Sequence, residues 1–366
     1  GSLFNQSGTN GMSVLTLKPF DPGRHMAVGE PALLAPLQVL EISNREIGAI
    51  STGFVEVIFG DIEHATNLVE VANFGRSLAQ PGAPRIQNPT TVVGGRVEIG
   101  YATAVGFDTF VNAWEVAAYL RFKSLVDDVV VDAAINEWSF QRNNWIRIEA
   151  ERDIIINRPI FALERISLTA GYSGAIAGSV ILNSTGTESG QLHTTGTGAG
   201  QRIEISAGRT AGNIVMSDQT GAVTVWAAGL NSQVLMQAPG GAITQTGGLI
   251  RGTLLAATAD GNISLALTDL ERIGAGTIDG VTLWNAGEIK DAGDDVDLNG
   301  IVITGGGSLT LVETDDLVID HVLTAGGSIV MSNVAGNEGD FHLGVLNAVS
   351  GDITLTVDGA IFDDLA

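Results

Sequence analysis

The chain has 366 residues, 45% of them hydrophobic and 48 of them Gly, with only 16% charged and a net charge of −23. This apolar content excludes disorder, the absence of Cys excludes a disulfide scaffold or thiolate zinc, and the acidic balance excludes a nucleic-acid partner. Apolar runs stay far below 18 residues, which predicts no membrane insertion by a helix.

Residues 1–126 read as irregular or insertion-bearing β coils, with a separate small domain as the alternative. "FVEVIFG" and "GGRVEIG" predict strands, "PFDPG" and "AQPGAP" predict turns, and "AWEVAAYLRFKSL" (113–125) fits a short helix or a strand pair. The opening "GSLFNQSGTNGM" has no basic n-region or apolar h-region, and its Gly-Ser start without Met suggests a scar on an excised fragment. From 127 onward the expectation is one repeat body. "DDVVVDAAI", "WIRIEAERDIIINRPI", "ERISLTAG" and "GSVILN" are strand-and-corner units of uneven spacing.

A period of about twenty residues follows. Ile203, Val223, Ile243 and Ile263 recur with Ile205, Val225 and Leu265 two positions on, Gln245 being the one break. Gly221, Gly241 and Gly261 precede them. Ile214, Val234 and Leu254 form a second set with Met216, Met236 and Ala256, and Gly212 and Gly252 precede two of these. The register resumes at Val281/Leu283 and Ile301/Ile303, then Leu309/Leu311, Ile329/Met331 and Ile353/Leu355. Apolar residues at i and i+2 place two side chains on one face of a short strand, and a preceding Gly permits a tight corner. Stacking such units aligns the apolar pairs in columns and joins neighbouring coils by parallel ladders. The prediction is an all-β, right-handed parallel β-helix over 127–366, with coils of roughly 20 residues and a more irregular N-terminal third.

"AGGSIVMSNVAG", "SGDITLTVDGAI" and "ERDIIINRPIFALERISLTAG" resemble the coils of filamentous-haemagglutinin-type repeat proteins, and "VLTLKPFDPGRHMAVGE" with "LEISNREIGAISTGFVEVIFGD" resembles their strand–loop–strand phrases. These are large β-helices exported to the bacterial surface by two-partner or autotransporter routes. The asparagine-proline-asparagine signatures of the secretion domain are missing, "QNPTTV" being the nearest string, so the resemblance implies an interior piece of a longer shaft. It further implies an extracellular or cell-surface location and adhesion, matrix-building or surface-layer roles. Its partners would be other surface or matrix proteins, glycans or copies of itself, with no catalytic residues to carry over.

Residues 252–366 hold 19 Asp and Glu against only Arg272 and Lys290. Within them "DAGDDVDLNG" (291–300) supplies Asp291, Asp294, Asp295, Asp297 and Asn299, oxygen ligands in a spacing that opens calcium loops. A helix–loop–helix hand also needs an acidic twelfth position, where Gly306 stands, so calcium on a solenoid loop competes with a solvated acidic turn. No other cofactor is indicated. If the chain were a polysaccharide-cleaving β-helix or a glycan-binding module, Asp315, Asp316 and Asp320 around "LVIDHV" would supply the carboxylates. Trp138, Arg142, Trp145 and Arg147 form the candidate glycan- or partner-binding patch, against a reading as packed aromatics. Unpaired solenoid ends leave a self-assembling filament subunit as a third class.

Overall fold

The computed structural model describes residues 13–29, 39–47, 49–50, 54–72, 88–100, 119–135, 144–185, 188–196, 198, 200–217, 223–259, 263–265, 268–274, 277–278, 281–282, 289–294, 296–299, 302–303, 309–313, 317–325, 327–333 and 339–363. They form a right-handed parallel β-helix whose strands stack in three ladders. Ladder A runs from Val14–Leu17 through Tyr119–Ser124, Trp145–Ala150, Arg165–Ala170, Arg202–Ser206 and Gln233–Ala238 to Ile361–Asp363. Ladder B includes His25–Gly29, Val129–Val131, Ile154–Ile156, Val180–Leu182, Ile214–Met216, Ile243–Gln245 and, at its far end, Ile353–Thr356. Ladder C stacks Ile160–Ala162, Leu192–Thr194 and Val223–Ala227. Tyr119–Ser124 pairs with Thr90–Gly94 on one side and Trp145–Ala150 on the other, so hydrogen bonding crosses residue 126 without a break.

Alternation drives the packing. In Trp145–Ala150 the residues Ile146, Ile148 and Ala150 point inward, stacked on Ile166, Leu168 and Ala170. Val129, Ile154, Val180, Ile214 and Ile243 make a ladder-B column of fully buried side chains. Each such burial stabilises by about 1.5–3 kcal/mol relative to exposure. Gln245, the apparent break in the repeat, does point into the core, and its Nε2 donates to the Gly248 carbonyl at 2.8 Å.

The twenty-residue pattern has two origins. True coils of about that length occur at Ile146/Ile166, Val234/Leu255, Ile243/Ile263, Leu309/Ile329 and Phe341/Ile361. Between 203 and 243 the assignment of one column needs correction. Ile203 lies in ladder A, Val223 in ladder C and Ile243 in ladder B, and the stacking partners are Ile203/Val234 and Ile214/Ile243. Here a coil takes about thirty residues with strands about ten apart, so a step of twenty lands two strands on, in a different ladder. Leu249–Ala259 runs without a corner from ladder C into ladder A, which shortens the next coils. In that strand Leu255, rather than Leu254, fills the column above Val234. Val281–Thr282 is a small antiparallel hairpin with Thr277–Ile278 and leaves the ladders; the next ladder-B strand is Ile289–Asp294.

The corners before ladder-B strands are sealed by side chains. Asp128 Oδ1 accepts from the Asp153 N–H (3.1 Å) and Asp153 Oδ1 from the Ser179 N–H (2.7 Å). Ser179 Oγ then accepts from the Asn213 N–H (3.1 Å), and Asn213 Oδ1 from the Ala242 N–H (2.8 Å). Each coil thereby caps an amide that has no ladder partner. One residue earlier, Gly178, Gly212 and Gly241 stack so closely that a Cβ on Gly212 would lie 2.0 Å from the Gly178 carbonyl oxygen.

Of the 113–125 stretch, Tyr119–Ser124 is a strand and the rest lies outside the described residues, as does "AQPGAP". "SNREI" adds a helical turn, Asn44–Ile47, that the strand–loop–strand reading missed. Ser43 and Glu46 form its capping box, with the Ser43 N–H and Oγ each 2.9 Å from Glu46 Oε2. No helix among the described residues is long and apolar enough to cross a membrane.

Candidate functional site

The outward positions of ladder A gather much of the chain's scarce positive charge. Tyr119, Trp145, Arg165 and Arg202 share one column, because each is the register partner of the next. The Tyr119 and Trp145 rings lie 4.9 Å apart at 60°, and the Arg165 guanidinium sits 4.7 Å from the Trp145 ring centre. Such a contact contributes about 0.5–2 kcal/mol. One column on, Arg121, Arg147, Ser167 and Glu204 align, followed by Lys123, Glu149 and Thr169.

Two glutamates organise this surface. Glu149, only 5% exposed, is shared by Arg121 and Arg147, the latter at 2.7 Å. Glu204 is flanked in the same way by Arg165 and Arg202. Each triad has one excess positive charge, so the face opposes the sign of a chain at −23. Lys123 lies 4.5 Å from the Tyr172 ring centre; burial, reinforced by Arg121, pulls its ammonium below the usual lysine range. Burial pushes the Tyr119 and Tyr172 phenols up. Ser173 Oγ hydrogen-bonds the buried Glu151 carboxylate. Three donors, Trp145 Nε1, Arg147 Nε and Arg202 Nη2, are buried without an acceptor. An unmet buried donor costs about 1–3 kcal/mol.

A second outer series lies on ladder C. Phe161, His193, Trp226 and Arg251 are successive register partners. Their ring centres are 5.1 Å apart for Phe161–His193 and 5.8 Å for His193–Trp226, with the Arg251 guanidinium 5.9 Å from the Trp226 ring. Half-buried rings and guanidinium planes in line can stack on the flat apolar face of a sugar ring and hydrogen-bond its hydroxyls.

The chain matches no protein-family model, curated protein or solved structure.

The sequence-predicted residues are distributed unevenly. Trp145 and Arg147 lie on the ladder-A face, whereas Trp138 and Arg142 lie outside the described residues. Of the acidic run, Asp291 and Asp294 belong to the strand Ile289–Asp294 and Asp297 and Asn299 to the strand Val296–Asn299; Asp295 is outside the described residues. The run is therefore mostly strand, not a loop: Asp291 aligns with Leu311, Asp294 with Asp269, and Asp297 with Arg272 and Val318. Among the described residues, no group of three or more His, Asp or Glu is placed to hold a metal ion. Asp315 and Asp316 lie outside the described residues, and Asp320 sits at a register shift between Ile319 and Val322.

Sequence reasoning missed Tyr119, Arg121, Arg165, Arg202 and the whole Phe161–Arg251 series. The alternation in "YLRFKS", "WIRIEA" and "RIEIS" does mark their outward positions. Their vertical alignment was hidden because successive partners are separated by unequal stretches of chain.

Proposed function

We propose that this chain is a structural and adhesive segment of an extracellular bacterial β-solenoid, and that the ladder-A outer face is its adhesive surface. The observation that carries this reading is the core. Among the described residues one cluster of buried side chains extends from Met26 to Phe341, and the aromatic and guanidinium series are mounted on its coils. A stack of this kind resists bending because every coil is hydrogen-bonded to the next. Its stability comes chiefly from the columns, which leaves the outer face free to vary. The partner class is a glycan or a glycan-bearing matrix or cell-surface protein. Stacking on Trp145 and hydrogen bonds from the arginines would supply the contacts, and the acidic C-terminal third would reach other surfaces through divalent cations.

The test immobilises the full chain and measures binding to a panel of acidic and neutral glycans, with released reducing ends assayed in parallel. Binding without product, weakened about tenfold or more in a Trp145→Ala/Arg165→Ala variant of unchanged circular dichroism, is the expected result. Polysaccharide turnover abolished by Asp320→Ala would replace this reading with a carbohydrate-active enzyme. Binding that the double variant leaves intact would remove the ladder-A face from the function.

A further inference from the structure

The two glutamate-centred triads of ladder A are layered. Glu149 and Glu204 lie underneath, with side chains 6% and 15% exposed. Above them Arg121, Arg147, Arg165 and Arg202 keep 20%, 36%, 37% and 23% of their side chains in solvent. Arg147 meets Glu149 at 2.7 Å, and Arg165 donates from Nε to Glu204 at 3.1 Å. Two guanidiniums carry roughly ten N–H donors against about four acceptor sites on one carboxylate. Each glutamate therefore fixes two arginines from below and leaves most of their donors unused.

The fold sets the distance between the two centres. Arg147, Ser167 and Glu204 are successive register partners, and Glu149 lies two residues beyond Arg147 on the same strand. Glu204 thus stands two rungs up and two residues across from Glu149, about 10 Å along the axis, about 7 Å sideways and about 12 Å in all. The rung between them presents Ser167 and Thr169, which carry no charge. Lys123, in register with Glu149, is set over the Tyr172 ring. Each triad has one excess positive charge, while the chain as a whole stands at −23.

We infer, resting on the adhesive reading of this face, that its ligand is a sparsely charged acidic glycan with one carboxylate on every second sugar. A carboxylate is planar and takes two parallel N–H bonds from one guanidinium, a match that a sugar hydroxyl does not offer. Carboxylates on alternate sugars of an extended chain are separated by two linked rings, close to the gap between the triads. Sparseness follows from charge. Each triad neutralises one added anion, and Ser167 and Thr169 offer no charge to a third between them. Additional anions would meet only the negative field of the remaining chain, so dense polyanions are disfavoured.

Binding of three polymers to the immobilised full chain tests this assignment. They are hyaluronan, which carries a glucuronate on every second sugar; the same polymer with its carboxylates reduced to alcohols; and heparin, which is densely sulfated. At about 50 mM salt hyaluronan should bind at least about tenfold tighter than either, and its lead over the reduced polymer should shrink at about 500 mM. Arg147→Gln with Arg165→Gln leaves one arginine on each glutamate, so neither carboxylate is stranded without a partner. This double variant should lose about tenfold in hyaluronan affinity and leave the reduced polymer unaffected. Equal binding of hyaluronan and its reduced form would overturn the inference and leave the adhesive face standing, as would tighter binding of heparin. So would a preference for hyaluronan that the double variant retains. Binding of no glycan at all would remove both the inference and the adhesive reading.

Discussion

Replacing Gly212 with Ala adds a single methyl group to the most crowded kind of corner in this solenoid. Its Cβ would stand 2.0 Å from the Gly178 carbonyl oxygen and 2.5 Å from the Gly208 nitrogen, both backbone atoms that no rotamer change can move aside. Relief requires the corner to open by more than about 1 Å, given ordinary contact distances near 3.5–4.0 Å. That movement strains two hydrogen bonds, Gly208 N–H to the Gly178 carbonyl at 2.7 Å and Gly212 N–H to the Gly208 carbonyl at 3.2 Å. Overpacking at about 1–3 kcal/mol, with about 1 kcal/mol for each weakened bond, gives a loss of about 3–5 kcal/mol. Gly200 supplies the contrast. It has φ +85°, yet a Cβ there would meet nothing within 4 Å, so Gly200→Ala carries only the torsional cost of about 1–2 kcal/mol. Urea unfolding followed by circular dichroism ranks the two variants. Amide exchange at residues 208–213 then tests whether the Gly212 loss is local, as nearest-neighbour stacking requires. Should Gly212→Ala lose no more stability than Gly200→Ala, the close stacking of the Gly178, Gly212 and Gly241 corner would be wrong.

Three further outcomes follow from the same geometry. Asn213→Ala removes the acceptor of the Ala242 N–H and should cost about 1 kcal/mol in urea unfolding, with faster exchange at that amide; an unchanged midpoint would dismiss the corner ladder as incidental. Glu70 is 4% exposed and in register with Glu98; burial first, and Glu98 second, raise its pKa. A carboxyl whose folded pKa lies above the unfolded value favours the fold below the unfolded pKa and loses that contribution as pH rises through the folded one. Glu70→Gln should therefore stabilise the chain at pH 7 more than at pH 4, and equal effects at both would contradict a raised pKa. In the acidic strands, Asp294 is the backbone register partner of Asp269, and four aspartates fall within 291–297. Calcium should raise the melting midpoint by a few degrees over chelator, and Asp291→Asn, Asp294→Asn, Asp295→Asn and Asp297→Asn together should abolish the shift; a midpoint indifferent to calcium would leave the run as solvated acid.

What the sequence revealed about the fold depended on how local each determinant is. Alternation within a strand is local, so "WIRIEA" announces Ile146 and Ile148 as core and Trp145 and Arg147 as surface. The step between coils is not local. The interval from Ile166 to Ile203 contains a small antiparallel hairpin, Ser184–Thr185 with Glu188–Ser189, which lengthens the coil without disturbing either stacked strand. Any reading based on constant spacing therefore aligns the wrong residues there, while it succeeds where coils are bare, as at Leu309/Ile329. The reading of a glycine before the strand as a corner captures only part of the chemistry. Gly212 and Asn213 do occupy a corner, but the Asn acts by accepting an amide from the next coil, a contact nearly thirty residues away that no short motif encodes.

The same distinction explains why the candidate site was harder to see than the core. A core column tolerates any aliphatic residue at each level, so its signature survives variable coil length; a functional column depends on which particular side chains coincide. Tyr119, Trp145 and Arg165 coincide because one coil contains twenty-six residues and the next twenty. A one-residue slip of the strand pairing itself would turn the whole strand over, burying the ring and exposing Ile146. Insertions at corners, by contrast, leave both faces of the strands as they were. The solenoid can therefore change its coil lengths freely only at the corners, and the surface ladders are fixed by the same strand register that holds the aliphatic columns together.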